Sequence, residues 1–337
     1  NIFMNTKKLT ETISQMMSPG KGLLAIDEST GTANKKRLEP MGVEPTEENR
    51  RRFRELFLTP DGIENHLSGT ILFDETMRQA DSSGKSFLDT LKEKGIAIGI
   101  KVDGGAKESE EFPGETLTAG LSGLSERLDE YVSMGAVFCK WRAVVKIDQA
   151  SGLPTDGALR ENCKRLARYA QMCQEKGLVP VCEPEVLLQG THGIERSAEI
   201  LSQTLDVLFE ELNARGVSIA HTILKTSMVV PGDESGEPMV TKQVAEKTVS
   251  VLRANVPHDL GGIVFLSGGQ SHDQATQNLN EIAKNEPLPW PLAFSYARAI
   301  QGPVLEVWQG RDENKEAAQE KYMEVLKEET LADQGLL

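Results

Sequence analysis

VFCKWRAVV (Val137–Val145) and LVPVCEPEV (Leu178–Val186) are short, apolar, β-rich runs, and a long helical stretch (residues 156–176) lies between them. A strand, a helix and a second strand in this order make a unit whose two strands run parallel. Toward their C-terminal ends both runs carry charges at alternate positions: Lys140 and Arg142 in the first, Glu183 and Glu185 in the second. Strand side chains alternate faces with period two, so each pair points one way. Cys139, Trp141 and Cys182 then point the other way, into a helix layer.

The same alternation continues outward. Further strands are predicted at LLAID (Leu23–Asp27), GTILF (Gly69–Phe73), IAIGIKVD (Ile96–Asp103), HTILKTSMV (His221–Val229), GIVFLSG (Gly262–Gly268) and LAFSYAR (Leu292–Arg298). Helical periodicity fills the gaps, near residues 46–57, 85–94, 122–134, 194–214, 241–254 and 271–284. A charged helix near 312–329 reads as solvated. Eight strands alternating with helices, without a Pro/Gly linker, imply an α/β fold with a parallel sheet, best closed as a single (β/α)8 TIM barrel. The expectation is one domain over residues 1–337, with an N-terminal and a charged C-terminal helix.

Composition narrows the function. The 337 residues carry a formal net charge of −14. That disfavours nonspecific contact with nucleic acid or an anionic membrane, but local cations can still bind anionic substrates. No run approaches the roughly 18–20 apolar residues of a membrane span. The start, NIFMNTKKLTETISQMM, is polar with helical periodicity and lacks the pattern of a signal peptide. Cys139, Cys163, Cys173 and Cys182 form no C-x-x-C, which points to free thiols and a cytoplasmic location. The five histidines form no H-E-x-x-H, so no protein metal site is expected.

Nearly every predicted strand ends in charged or hydroxyl residues, and in this barrel those ends converge on one mouth. Lys225 stands in an otherwise apolar strand, and a buried lysine is a candidate carbonyl-attacking nucleophile. Lys140 is a nearby cation that would favour its neutral amine, and Glu183 a proton carrier for addition and loss of water. Glu185 would hold the lysines or share that work. Asp27, across the barrel, would take a proton from a substrate hydroxyl. LSGGQS (Leu266–Ser271) opens a helix after strand seven, so Ser267, Gly268 and Gly269 are candidate phosphate ligands. Arg298, ending strand eight, and Arg37 would join them. Lys101 with Ser29 and Thr32 suggests a second anion site.

These residues fall in an ordered set of motifs: GKGLLAIDEST (Gly20–Thr30), TEENRRRFREL (Thr46–Leu56), GIKVD (Gly99–Asp103), KWRAVVKI (Lys140–Ile147), VCEPEVL (Val181–Leu187), ILKTSMV (Ile223–Val229), FLSGGQS (Phe265–Ser271) and FSYARA (Phe294–Ala299). The set resembles class I fructose-bisphosphate aldolase over roughly residues 5–310. The resemblance implies a cofactor-free lyase of glycolysis and gluconeogenesis that cleaves fructose 1,6-bisphosphate reversibly to dihydroxyacetone phosphate and glyceraldehyde 3-phosphate. It implies a Schiff base on Lys225, assistance from Glu183 and Lys140, and Asp27 as base at the C4 hydroxyl, with Glu185 orienting the network. Ser267, Gly268, Gly269, Arg37 and Arg298 match its C1-phosphate region. Ser29, Thr32, Lys101 and Arg142 match residues for the distal phosphate or the sugar chain. It also implies a homotetramer acting on a small sugar bisphosphate, with no nucleic-acid or membrane partner.

The chain departs from the animal enzymes at Ala297, where they have glycine, and at Thr226-Ser227, where they have Pro-Asn. Gly104 replaces a lysine, and the sequence stops at Leu337 without the long tail ending in tyrosine. Enamine proton exchange is therefore expected to use another group or to be slower. Two anion sites favour a bisphosphate. A preference for sedoheptulose 1,7-bisphosphate, and a nonenzymatic scaffold on this fold, stay open as alternatives at this point.

Overall fold

The structure, a computed structural model, describes residues 2–337, with side chains from Asn5 onward. Eight parallel strands close into a barrel: β1 (Gly22–Ile26), β2 (Leu67–Leu72), β3 (Ala97–Lys101), β4 (Phe138–Val145), β5 (Val179–Val186), β6 (Ile223–Thr226), β7 (Gly262–Phe265) and β8 (Leu292–Tyr296). Strand β1 pairs with both β2 and β8, so the sheet has no free edge. The (β/α)8 expectation holds.

The main helices are α1 (Ile2–Met16), α2 (Glu47–Leu58), α3 (Phe87–Glu93), α4 (Leu124–Met134), α5 (Asp156–Glu175), α6 (Ile194–Ala214), α7 (Thr241–Asn255), α8 (His272–Ala283), α9 (Arg298–Trp308) and α10 (Lys315–Asp333). Their starts follow local chemistry. Thr46, Ser86, Thr155 and Ser271 cap α2, α3, α5 and α8 through side-chain oxygens, and Ser271 with Gln274 closes a full capping box.

Alternation along the strands sorts two apolar layers. Leu23, Ala25, Ile71, Ala97, Phe138, Val181, Ile223, Val264 and Ala293 fill the lumen, and Leu9, Met16 and Met17 join them at its floor. Phe138 needs room there: a Cβ on Gly99 would lie 2.2 Å from its ring, so only glycine fits opposite it. Cys139, Trp141 and Cys182 belong to the outer layer with the helices, and Trp141 packs on Tyr169 at 5.4 Å between ring centroids. With the lumen floor apolar, polar inward residues are left at the C-terminal ends of the strands.

Two expectations need correction, and one element has no sequence signal. Arg298 does not end strand eight; it is the first residue of α9, a helix that Gly302 and Pro303 disguise in the sequence. A short hairpin, Ala106–Glu108 with Thr116–Thr118, follows β3; its few, mostly polar residues give no strand signal. The charged C-terminal helix is not solvated. It packs on α2, α8 and α9 and buries Tyr322, Val325, Leu326, Glu329 and Asp333. Its apolar face is hard to see because two buried positions are acidic.

Candidate active site

Register brings the predicted pairs together. Lys101 on β3 lies beside Lys140 on β4, and Arg142 lies beside Glu183 on β5. Lys140 and Lys225 are each 4% exposed. The Lys140 ammonium sits 2.8 Å from Asp27, 3.4 Å from Glu183 and 4.0 Å from Asp103. Lys225 Nζ lies 3.7 Å from the other oxygen of Glu183. Glu183 therefore stands between the two lysines, one oxygen turned to each. Its contact with Lys140 is an ion pair without hydrogen-bond geometry, which leaves that oxygen without a hydrogen-bond donor.

Electrostatics follows from this packing. Burial would raise the Asp27 carboxyl, but Lys140 and Lys225 outweigh it and hold the group below its usual range. Burial would likewise strip Lys140 of its proton, yet Asp27, Glu183 and Asp103 hold it well above the usual lysine value. Lys140 is thus a fixed ammonium. Asp103 is kept low against its burial by Lys140 and Lys101, and it accepts the Arg142 backbone N–H at 3.0 Å. It binds the cluster together, although the sequence reading did not name it as a site residue. Its spacing of two from Lys101 is the signal that marks it.

Beside this cluster opens a cavity of about 460 Å3. Lys36, Arg37, Arg142, Lys225 and Arg298 line it against only two carboxylates, Glu183 and Glu185. On a protein of net charge −14, this local excess of basic side chains would attract an anion. Ser267, Gly268 and Gly269 form one wall. Gly268 and Gly269 have φ of 57° and 90°, a left-handed backbone that favours glycine. The buried Gln270 side chain donates to the Ser267 carbonyl at 3.1 Å and accepts from Asn278 at 2.7 Å, which fixes the loop to α8. Arg37 donates to Gln301 at 2.7 Å and pairs with the buried Glu28 at 3.3 Å.

Some candidates fall differently. Glu185 does not hold the lysines; its carboxylate takes the Arg142 guanidinium. Arg142 lies in the same cavity as Arg298 and Lys225. Ser29 and Thr32 hydrogen-bond to each other, and Lys101 is tied to Asp103, so these three do not form the second anion site by themselves. Asp74 and Glu75, charged residues of the helical turn Asp74–Met77 after β2, are not site candidates and serve a structural network with Arg78, Tyr131, Arg50 and Arg54. Lys36, not among the sequence candidates, also lines the cavity; its signal is the basic run KKRL (Lys35–Leu38), which holds Arg37 too.

A family profile for class I fructose-bisphosphate aldolase matches residues 8–337. The chain belongs to that family. A probable class 1 fructose-bisphosphate aldolase of Xanthomonas campestris pv. campestris is 47% identical over 98% of this chain and 99% of its own. The fructose-bisphosphate aldolase of Dictyostelium discoideum is 44% identical over 98% and 94%. A solved aldolase of Plasmodium falciparum, in complex with TRAP and a small-molecule inhibitor, superposes with a TM-score of 0.96 at 42% identity, covering 98% of this chain and 95% of that one. This aldolase cleaves fructose 1,6-bisphosphate by the lysine Schiff-base chemistry of class I. No helix among the described residues is long and apolar enough to cross a membrane.

Proposed function

We propose that Lys225 is the nucleophile of the aldol cleavage and that Glu183, Lys140 and Asp27 move its protons. The observation that carries this reading is the Glu183 carboxylate set between two buried lysines at the edge of a cation-rich cavity. The Lys225 ammonium first gives a proton to the Glu183 carboxylate; the neutral Nζ then attacks the C2 carbonyl of the open-chain ketose, and the proton that the nitrogen sheds passes to the carbonyl oxygen. Glu183 protonates the carbinolamine hydroxyl, water leaves, and an iminium forms. Asp27 accepts the C4 hydroxyl proton, the C3–C4 bond breaks, glyceraldehyde 3-phosphate leaves, and the bond's electron pair enters the iminium as an enamine; a proton at C3 and then water across the iminium release dihydroxyacetone phosphate and free Lys225. Lys140, a fixed cation, keeps Asp27 ionised until that step. Glu185 orients Arg142. Ser267, Gly268, Gly269, Arg37 and Arg298 bind the C1 phosphate. Arg142, Lys101, Ser29 and Thr32 serve the distal phosphate or sugar chain, with substrate drawing the last three together.

The reading extends to a cytoplasmic homotetramer. Relatives of Arabidopsis thaliana and Spinacia oleracea carry cytosolic and cytoplasmic names, which supports the location. The tetramer rests on family resemblance, and light scattering on the purified protein tests it.

The test of the chemistry is borohydride reduction in the presence of fructose 1,6-bisphosphate, peptide mass mapping, and cleavage assayed with EDTA. A substrate-derived adduct on Lys225 with EDTA-insensitive turnover is expected. An adduct on another lysine, or none, removes Lys225 from the mechanism.

A further inference from the structure

His272 opens α8, directly after the glycine loop, and its ring reaches two other helices. Nδ1 lies 2.8 Å from the Ala299 carbonyl of α9, and Nε2 lies 2.9 Å from the Glu328 carboxylate of α10. The first contact has a cause in the sequence. Pro303 has no N–H, so the carbonyl four residues earlier, Ala299, lacks its helical partner. His272 supplies a donor there, one residue from Arg298.

Both ring partners only accept, so both ring nitrogens must donate, and a neutral imidazole carries a single N–H. The imidazolium is the form that fits. The surrounding charge agrees. Glu328 and Glu329 of α10 face the ring, Glu329 Oε1 lies 3.5 Å from Nδ1, and Thr276 of α8 donates to Glu329. The carboxyl groups of Asp333 and Glu286 also lie near this group, beside Tyr296 of β8, and burial raises both above their usual values. On its own helix, His272 is followed by Asp273. No lysine or arginine pairs with Glu329 or Asp333 among the described residues. Burial would lower the His272 value, but the Glu328 hydrogen bond and Glu329 carry it above the ordinary 6.5.

We propose that the His272 imidazolium is a positioning residue for the phosphate site. It pins the N-termini of α8 and α9, and with them the Ser267–Gly269 loop and Arg298, to the C-terminal helix. The inference rests on the reading that this loop and Arg298 bind the substrate phosphate. A histidine with its value raised holds this clamp below its ordinary pKa and loses it as pH climbs through the folded value. Above that window one of the two contacts has no proton, and the two halves of the cradle are no longer tied through α10.

The experiment measures KM and kcat for fructose 1,6-bisphosphate from about pH 6 to about pH 9. It compares the wild type with His272→Gln and Glu328→Gln. Ratios of variant to wild type at each pH cancel the titration of the substrate phosphates. At the acid end His272→Gln should raise KM about three- to tenfold with kcat little changed, and the ratio should fall toward one at the alkaline end. Glu328→Gln offers an amide N–H to a neutral ring, so its KM should drop below the wild-type value at the alkaline end. Ratios that stay flat for both variants overturn the proposal. If His272→Gln does not fold, Glu328→Gln decides alone, because that side chain is partly exposed. Borohydride trapping on Lys225 accompanies each assay. Failure of trapping in the wild type sinks the active-site reading, whereas flat ratios with trapping intact sink only the role of His272.

Discussion

The barrel mouth and the underside of the C-terminal helix bury the same kind of group with opposite results. At the mouth, Asp27, Asp103 and Glu183 surround Lys140, with Lys101 and Lys225 beside them. Under α10, Glu329 and Asp333 are deeply buried too; His272 faces Glu329, and no lysine or arginine pairs with either carboxyl among the described residues. Burial penalises the carboxylate in both places. At the mouth the lysines outweigh it and the two aspartates stay low. Under α10 nothing does, and burial pushes Glu329 up to about 7 and Asp333 well above the carboxylate range. Depth alone therefore does not decide charge state; the number of counter-charges does.

Removing the central cation is the strongest way to break this contrast. Lys140→Met leaves three buried carboxylates short of their shared partner. Taking one member from such a cluster costs about 3–5 kcal/mol. On the mechanism proposed above, turnover should also fall by about 10²–10⁴, because Asp27 and Glu183 lose the fixed charge beside them. Urea unfolding and kcat on fructose 1,6-bisphosphate read the two effects. A variant as stable as the wild type would mean that the mouth does not depend on Lys140 for its charge balance.

The next test lies under α10 and turns on sign. The Glu329 value rises from 4.5 unfolded to about 7 folded. A raised value gives stability that is full below about 4.5 and lost as pH climbs through about 7. Glu329→Gln removes the charge and keeps the shape. It should stabilise the protein by about 2–3 kcal/mol at alkaline pH and by almost nothing below about pH 4.5, read from Tm at each pH. Asp27 and Asp103 run the other way: their values are lowered, so their contribution is present above 3.8 and lost in acid. The wild-type Tm should therefore peak between the two limbs. An increment from Glu329→Gln that is the same at both pH values would show that charge is not what the helix pays for.

The same contrast explains what the sequence could tell. The mouth was legible because strand alternation is a strict rule. Lys140 and Arg142, or Glu183 and Glu185, must share a face, and the fold then gathers strand ends. Partner choice was less legible: Glu185 meets Arg142 rather than the lysines, which depends on strand register and side-chain reach. The ground under α10 was not legible. Glu329 and Asp333 look like solvated helix residues in any reading that equates charge with exposure, and their burial is set by the packing of α10 on α8 and α9. Helix α9 was hidden for a related reason, since Pro303 reads as a breaker and its missing hydrogen bond is made good by His272, distant in sequence.

A third pair sets the floor for both regions. Lys247 of α7 meets Glu195 of α6, with side chains 30% and 73% exposed. Water already solvates such ions, and holding two long side chains in one geometry offsets most of the attraction. Lys247→Ala should shift stability by less than about 1 kcal/mol, with an effect that fades in salt. Salt should do far less to Lys140→Met, whose lost contacts are sealed from solvent. Urea unfolding of the two variants at low and high salt compares them directly. A large, salt-insensitive loss at Lys247 would mean that helix packing around α6 and α7, rather than solvent access, decides what an ion pair contributes here.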